Sequence, residues 1–200
     1  MKSLELHLRQ EMLRAITGLE YIYLAGGCVR DTLYGVVPKD YDAIVIGFDN
    51  DIDTFTEMRH ISERLSVLGI KSEVYQSYGV ADGRDVAPGA FSECFLGCMK
   101  IHLTFSDLPT EVDLLFSVQD NIEDHVKTHD CNANMVYLSD DGVIIGDRVS
   151  KLEFREGIDP ARVAYMTEKW ALLESYDLPK KSNALDKCSD KTCLGFGCCE

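Results

Sequence analysis

Two aspartates separated by one residue carry the first chemical signal in the sequence. Asp40 and Asp42 open an apolar segment that predicts a β-strand, and residues two apart on a strand project from the same face. Two carboxylates held side by side repel each other unless a cation lies between them. Because Mg²⁺ prefers oxygen ligands and substrate phosphates, the pair indicates a magnesium site.

A Gly-Gly pair lies shortly before these aspartates. Gly26 and Gly27 follow an aromatic, branched segment that predicts a strand, and a predicted helix begins at once after them. Glycines let the backbone turn sharply and leave N–H groups uncovered by side chains. Such donors, together with the positive end of a helix, favour the binding of phosphate.

A third carboxylate lies in the predicted strand 110–117. Asp113 is flanked by Val112 and Leu114, where an aspartate is unexpected unless its face of the strand opens onto something polar. With the Asp-x-Asp pair it would complete a two-metal site, in which one cation lowers the pKa of an attacking hydroxyl and the other stabilises the leaving group. Glu111 shares the same face by alternation and is the weaker candidate.

The elements around these residues predict an α/β fold. The predicted helices are residues 3–18, a short helix from Cys28 to Gly35, and residues 51–68, 120–137 and 159–176. The predicted strands are residues 21–25, 40–47, 70–78, 98–105, 110–117 and 143–145, with a turn at 106–109. Residues 79–91 are rich in turn-forming residues and predict a loop.

The composition limits the partners that we expect. The chain has 200 residues, a net charge of −14 and a sequence pI of about 4.7. Such acidity argues against broad binding of nucleic acid, although a small local basic patch can still hold an RNA end. No apolar run approaches the roughly 20 residues that span a bilayer, and the N-terminal segment is an amphipathic helix rather than a secretory signal. We therefore expect a cytoplasmic protein without a membrane partner.

Residues 23–45 resemble the signature of the tRNA nucleotidyltransferase and bacterial poly(A) polymerase family, within the polymerase-beta-like nucleotidyltransferase superfamily. That signature consists of Gly-Gly, two residues, Arg-Asp, a later Gly and then Asp-x-Asp. The matching positions are Gly26, Gly27, Arg30, Asp31, Gly35, Asp40 and Asp42, with Lys39 directly before the aspartate pair. The resemblance implies the fold of this superfamily, a mixed and mostly antiparallel sheet with flanking helices.

Two further segments extend the resemblance over most of residues 20–176. Residues 122–147 are similar to the family segment that contains Arg-Arg-Asp-Phe-Thr-Ile-Asn, so Asp130 and Asn134 correspond to an Asp and an Asn that position the ribose and base of the nucleotide. Residues 158–165 are similar to the family's Asp-Pro-x-Arg segment, in which Arg162 corresponds to the first arginine.

The resemblance implies Mg²⁺-dependent transfer of NMP from an NTP such as ATP to an acceptor hydroxyl. In this reading the Gly-Gly turn and Arg30 face the triphosphate, Asp40 and Asp42 bind Mg²⁺, and Asp113 binds the catalytic metal and helps to activate the acceptor. One alternative stays open, because Arg30 could instead pair with Asp31 as scaffolding within the helix.

Several positions depart from the family pattern. Thr128 and His129 replace the two arginines before the Asp, and no Glu-Asp-x-x-Arg follows Tyr165. For His129 a surface location is favoured over a role as a pH-sensitive substitute for arginine. The family favours an RNA 3′ end, as in tRNA processing, and hence RNA binding. NMP transfer to a protein or small molecule, and a degenerate nucleotide-binding module, are the alternatives.

The domain organisation that we predict has three parts. Residues 1–150 form the nucleotidyltransferase head, residues 151–179 a short helical extension similar to the family's neck, and residues 180–200 a flexible Cys-rich tail. Of the eight cysteines, the tail holds Cys188, Cys193, Cys198 and Cys199. Structural zinc sites usually have about two to four residues between paired ligands and a longer loop between the pairs, so zinc binding by this tail is not favoured.

Overall fold

Five strands form one mixed sheet in the computed structural model of the protein, which describes residues 3–75, 94–105 and 108–177. The helices are α1 (Leu4–Thr17), α2 (Gly27–Leu33), α3 (Asp51–Val67), α4 (Ile122–Val126) and α5 (Pro160–Asp177). The strands are β1 (Ile22–Leu24), β2 (Tyr41–Val45), β3 (Lys71–Tyr75), β4 (Phe95–Phe105), β5 (Leu108–Ser117), β6 (Tyr137–Leu138) and β7 (Ile144–Ile145). Strands β6 and β7 form a separate two-stranded sheet.

The large sheet has the strand order β1-β2-β5-β4-β3. The pairing of β2 with β5 is parallel, while β1 with β2, β5 with β4 and β4 with β3 are antiparallel. The predicted α/β class, with a mixed, mostly antiparallel sheet and flanking helices, is therefore confirmed.

One face of the sheet carries the main core beneath α1 and α3. Leu13 of α1 and Ile61 of α3 pack with Leu114 and Phe116 of β5, and none of these side chains is more than 1% exposed. The amphipathic pattern of both helices explains this arrangement, because each helix has one apolar stripe to bury.

The opposite face carries a smaller core. Ile44 of β2 and Leu115 of β5 pack against Ile122 and Val126 of α4 and against Tyr137 of β6. This second cluster covers only part of the face. The part of β2 and β5 that lies two residues before Ile44 and Leu115 therefore remains available for polar side chains.

Local hydrogen bonds define the ends of the helices at the predicted positions. The Asn50 side chain accepts from the backbone N–H of Asp53 at 2.9 Å, and Asp159 Oδ1 accepts from the N–H of Ala161 at 2.7 Å. Gly18 ends α1 with a left-handed φ of 74° and donates its N–H to Arg14 O.

The predicted helix over 120–137 is wrong. Helix α4 ends at Val126, a 3₁₀ helix covers Asn132–Asn134, and β6 begins at Tyr137. The chain leaves the helical path because Cys131 adopts an extended conformation and pairs as an isolated bridge with Phe154. Tertiary pairing thus overrides a helical sequence pattern.

The other predicted elements match within a few residues, although β4 and β5 begin earlier than predicted. Leu108 and Pro109, predicted as part of the turn, belong to β5. The predicted loop 79–91, the end of the third strand at 76–78, the first half of the 106–109 turn and the tail with its four cysteines lie outside the described residues. In the described ranges, no helix has the length and apolar character required to cross a membrane.

The packing of Phe116 generates a stability prediction. Its ring is fully buried and makes an edge-on contact with Phe48, with 5.2 Å between the ring centroids. We expect Phe116→Ala to lower the free energy of unfolding by about 3–5 kcal/mol, because it removes a large apolar side chain and leaves a cavity. Urea unfolding measures the loss. Val67→Ala, at a residue 88% exposed, is the matched control and should change it by less than about 0.5 kcal/mol.

Candidate active site

The register of the parallel pair β2 and β5 brings two of the predicted carboxylates together. Asp42 of β2 lies directly opposite Asp113 of β5. Paired residues project from the same face, so both side chains lie on the face that α4 covers only in part. Asp40 precedes β2 and is exposed.

The electrostatic environment of this pair disfavours two ionised carboxylates. Burial, together with the charges of Asp113 and Asp40, raises the pKa of Asp42 to about 6, against the opposing effect of Arg162 and Arg30. Burial also raises the pKa of Asp113, although Lys100 opposes that shift. The pair lacks enough positive charge among its neighbours to hold both ionised forms at low cost.

A hard divalent cation fits this donor set, because it would supply the missing charge and carboxylate oxygens are its preferred ligands. The fit rests on Asp42 and Asp113. Within the described ranges, no group of three or more carboxylate, histidine or cysteine side chains is close enough to hold a metal ion. The ligand roles of Asp40, Asp42 and Asp113 stay predictions.

The glycine turn is built as predicted, but its two glycines differ. Gly26 has φ 63° and ψ −127°, and a Cβ there would lie 3.1 Å from His129 Cε1, so only glycine fits. Its N–H donates to Val136 O at 2.8 Å and is therefore not available to phosphate. Gly27 begins α2, so its N–H has no acceptor within the helix. Of the two amides, the one at Gly27 suits phosphate.

Arg30 is buried in a chain of side-chain hydrogen bonds rather than pointing freely into solvent. Its Nε and Nη2 donate to Asp31 Oδ1 at 2.9 and 2.6 Å, and its Nη1 donates to Asn134 Oδ1 at 2.5 Å. Lys169 Nζ of α5 donates to Asp31 Oδ2 at 2.9 Å. The structure thus shows the pairing of Arg30 with Asp31 that the sequence left open, and a contact of Arg30 with phosphate stays a prediction.

The same chain of hydrogen bonds continues to the other nucleotide candidates. Asp130 accepts from Asn134 Nδ2 at 2.6 Å and from Arg162 Nε at 2.5 Å. Burial alone would raise the pKa of Asp130, but the hydrogen bonds from Arg162 and Asn134 outweigh it and hold this pKa below its ordinary value. The linked side chains form one preorganised wall of the site. We call this series the ion-pair chain, and its members in order are Lys169, Asp31, Arg30, Asn134, Asp130 and Arg162.

A cleft of about 1200 Å³ joins the turn, the carboxylates and the ion-pair chain. Of the nine site residues predicted from the sequence, eight line it: Gly26, Gly27, Arg30, Asp40, Asp42, Asp130, Asn134 and Arg162. Asp113 is not part of the lining and connects to it through its partner Asp42. Residues that are distant in sequence therefore converge on one surface.

Three residues of the site were missed or misplaced by the sequence reasoning. His129 is a cleft residue, so the favoured surface location is wrong. Its Nδ1 donates to Asn134 O at 2.6 Å, and burial lowers its pKa. Lys169 binds Asp31, and Lys100 lies beside Asp113. No local motif reveals the two lysines, because their contacts depend on helix docking and on strand register.

No family model matches the chain, and no curated protein does. Solved structures that match include a CCA-adding enzyme with CTP (TM-score 0.44, 16% identity, 72% of this chain and 33% of that chain). A tRNA-processing enzyme in an apo form matches with TM-score 0.49 and 18% identity over 82% of this chain and 43% of that chain. The Thermotoga maritima CCA-adding enzyme complexed with tRNA matches with TM-score 0.42 and 16% identity, over 73% of this chain and 32% of that chain. The chain thus spans about a third to two fifths of these proteins.

The raised pKa of Asp42 generates a pH-dependent prediction. Because the folded-state pKa, about 6, exceeds the ordinary carboxyl value of 3.8, the folded protein loses stability as the pH rises from about 4 through 6. Asp42→Asn carries no such charge. In metal-free buffer it should be about 3 kcal/mol more stable than the unchanged protein at pH 8, and this gain should disappear at pH 4. Urea unfolding at both pH values measures the difference.

The control for this prediction is Glu20→Gln, which removes one negative charge at an exposed position. It should leave the stability unchanged at both pH values. An equal gain for Asp42→Asn at pH 4 and pH 8 would show that the carboxylate charge is not the cause.

The geometry of Gly26 generates a second prediction for the site. Gly26→Ala should destabilise the protein by about 1–3 kcal/mol, because it combines a backbone conformation reserved for glycine with a contact on the His129 ring. Gly35→Ala is the matched control, since Gly35 also has positive φ (75°) but nothing within 4 Å of an added Cβ. Thermal unfolding of the two variants should show the larger loss at Gly26; equal losses would contradict the proposed ring contact.

Proposed function

We propose that the protein is a metal-dependent nucleotidyltransferase that transfers NMP from an NTP to an acceptor hydroxyl and releases pyrophosphate. The observation that carries the proposal is the parallel pairing of Asp42 with Asp113, which sets two partly desolvated carboxylates beside a cleft that begins at the Gly26–Gly27 turn. The signature resemblance of residues 23–45 supports the same activity and the polymerase-beta-like nucleotidyltransferase fold.

Asp42 and Asp113, with Asp40, would hold the divalent cation, which when bound would lower the pKa of the attacking hydroxyl and neutralise charge on the leaving pyrophosphate. The side chains of this protein position the reactants. Asp113 orients the acceptor hydroxyl, and the amide of Gly27 donates to a phosphate oxygen. Burial of Asp42 keeps water away from the reacting atoms and strengthens each electrostatic contact there.

The ion-pair chain supports nucleotide binding mainly through rigidity. Both oxygens of Asp130 and the side-chain oxygen of Asn134 already accept hydrogen bonds within the protein. These groups therefore hold the cleft wall in one shape before the nucleotide arrives, which reduces the ordering cost of binding. Lys39 and Arg155, which also line the cleft, add positive charge for the triphosphate.

The cleft is large enough for two reactants. A single small ligand typically occupies about 300–1,000 Å³, whereas this cleft has about 1200 Å³. Five basic and six acidic side chains line it, a net of −1 in a chain whose net charge is −14. The cleft is thus close to neutral within an acidic surface, which suits the short end of an acceptor better than a long stretch of phosphate backbone.

The 3′ end of an RNA such as tRNA is the first acceptor candidate, on the signature resemblance. The acidic surface favours a second candidate, a hydroxyl of a protein side chain or of a small molecule, because such acceptors carry no phosphate backbone that the surface would repel. A binding module without catalysis is the third possibility, and it predicts no pyrophosphate release.

The test is transfer of label from each of the four α-labelled NTPs, with Mg²⁺, to total tRNA and separately to a cell extract stripped of RNA. We expect labelled tRNA with the unchanged protein and a loss of at least about 100-fold with Asp42→Asn, because a ligand that acts in the transition state is removed. Glu20→Gln is the control that should keep full activity.

The pattern of label separates the three possibilities. Label only in the RNA-free extract assigns a protein or small-molecule acceptor. Absence of both label and pyrophosphate with every acceptor leaves nucleotide binding alone and contradicts the enzyme proposal. Activity that survives in Asp42→Asn would remove Asp42 from the reaction.

A further inference from the structure

A lysine of the central sheet lies between two carboxylates at the candidate cation site. Lys100 of β4 pairs with Asp113 across β4 and β5, so the two side chains share a face. Lys100 Nζ lies 2.9 Å from Glu111 Oε2 and 3.8 Å from Asp113 Oδ1, and the lysine side chain is 26% exposed. Only the shorter of these distances is a hydrogen bond, so Glu111 holds the ammonium group and Asp113 feels its charge.

We propose that Lys100 is a positioning residue of this site, whose ammonium group neutralises Asp113 while the divalent cation is absent and stays with Glu111 when the cation binds. The inference rests on the proposed function, because it requires Asp42 and Asp113 to be cation ligands. A lysine suits such a role, since it is a compact charge on a flexible stem and can change partners without moving the backbone.

The charges around the pair explain why a local cation is needed in the metal-free protein. Asp42 and Asp113 are directly opposite each other, and their mutual repulsion disfavours the ionised state of both. Lys100 opposes this repulsion from the strand on the other side of Asp113. A divalent cation that arrives at Asp113 is repelled by the same ammonium group, so the lysine stabilises the empty site and weakens the loaded one.

Glu111, the weaker candidate for a metal ligand in the sequence, has a different role in this proposal as the partner of Lys100. It is an exposed carboxylate that contacts Lys100 on one side and His102 on the other, with 3.5 Å between Glu111 Oε1 and His102 Nδ1. These contacts fix Glu111 as the alternative partner of the ammonium group. Glu111 therefore holds the ammonium group by a hydrogen bond of 2.9 Å, at a place where the nitrogen lies 3.8 Å from Asp113 Oδ1.

The test is a titration of the metal-free protein with Mn²⁺, in which electron paramagnetic resonance reads the free ion. We expect Lys100→Met to bind Mn²⁺ about three- to tenfold more tightly than the unchanged protein, because one repelling charge is removed from a partly exposed site. Lys71→Met is the matched control. Lys71 lies on β3, two strand spacings or about 10 Å from β5, where salt screens its charge, so its removal should leave the affinity within about twofold.

A double-mutant cycle with Glu111→Gln separates the proposed hold of Glu111 on Lys100 from a simple loss of charge. Glu111→Gln should weaken Mn²⁺ binding, because the ammonium group then loses its hydrogen bond to Glu111 and can turn toward Asp113. The same change in Lys100→Met should have a much smaller effect, since no lysine is left to release. The metal-free Lys100→Met protein should also melt at a lower temperature than the metal-free Lys71→Met protein.

Two results would overturn the inference while leaving the cation site intact. They are equal Mn²⁺ affinities for Lys100→Met and Lys71→Met, and equal losses from Glu111→Gln in the presence and absence of Lys100. A different result, no Mn²⁺ binding by the unchanged protein or any variant, would remove the cation site itself and with it this part of the proposed function.

Discussion

The parallel pairing of β2 with β5 is the constraint on which the rest of the site depends. Among the strands that the structure describes it is the one parallel pairing in the sheet, and it sets Asp42 beside Asp113 although 70 residues of chain separate them. A shift of that register by one residue would turn Asp113 toward the main core, where an ionised carboxylate is costly. The buried side chains Leu114 and Phe116 hold the register, so apolar packing on one face fixes polar chemistry on the other.

The wall of the cleft is held together by paired charges and hydrogen bonds rather than by apolar packing. The ion-pair chain alternates positive, negative and amide groups, and it ties α2, the segment around Asp130 and α5 together. Its buried members cannot be left unpaired without a large cost, so the partners hold one another in a single arrangement. Burying Arg30 and Asp31 costs free energy of desolvation, which their mutual pairing reduces. The paired arrangement also makes the wall rigid where a nucleotide would bind. The net charge of −14 is distributed mostly away from this wall.

Much of the fold and the site could be read from local patterns. Apolar periodicity and capping residues placed α1, α3 and α5 within a residue or two, and the spacing of Gly26, Gly27, Asp40 and Asp42 identified one edge of the cleft. Features that depend on distant contacts could not be read in this way. The helix predicted over 120–137 ends at Val126, and Cys131 pairs with Phe154 in an extended conformation instead, while Lys100 meets Asp113 only through strand register. The sequence left the partner of Arg30 open, because Arg30 could either face the triphosphate or pair with Asp31.

The linked charges also limit how this protein can change over evolutionary time. Asp31 binds both Arg30 and Lys169, and Asp130 binds both Arg162 and Asn134, so a neutral replacement at either aspartate leaves two partners without their acceptor. Substitutions along the wall would therefore occur together or not at all. Among related chains, the positions of α2 and α5 that touch should covary as pairs, whereas the exposed side of α5 should drift freely. The ion-pair chain thus predicts which positions covary among related chains, as well as the shape of the cleft wall.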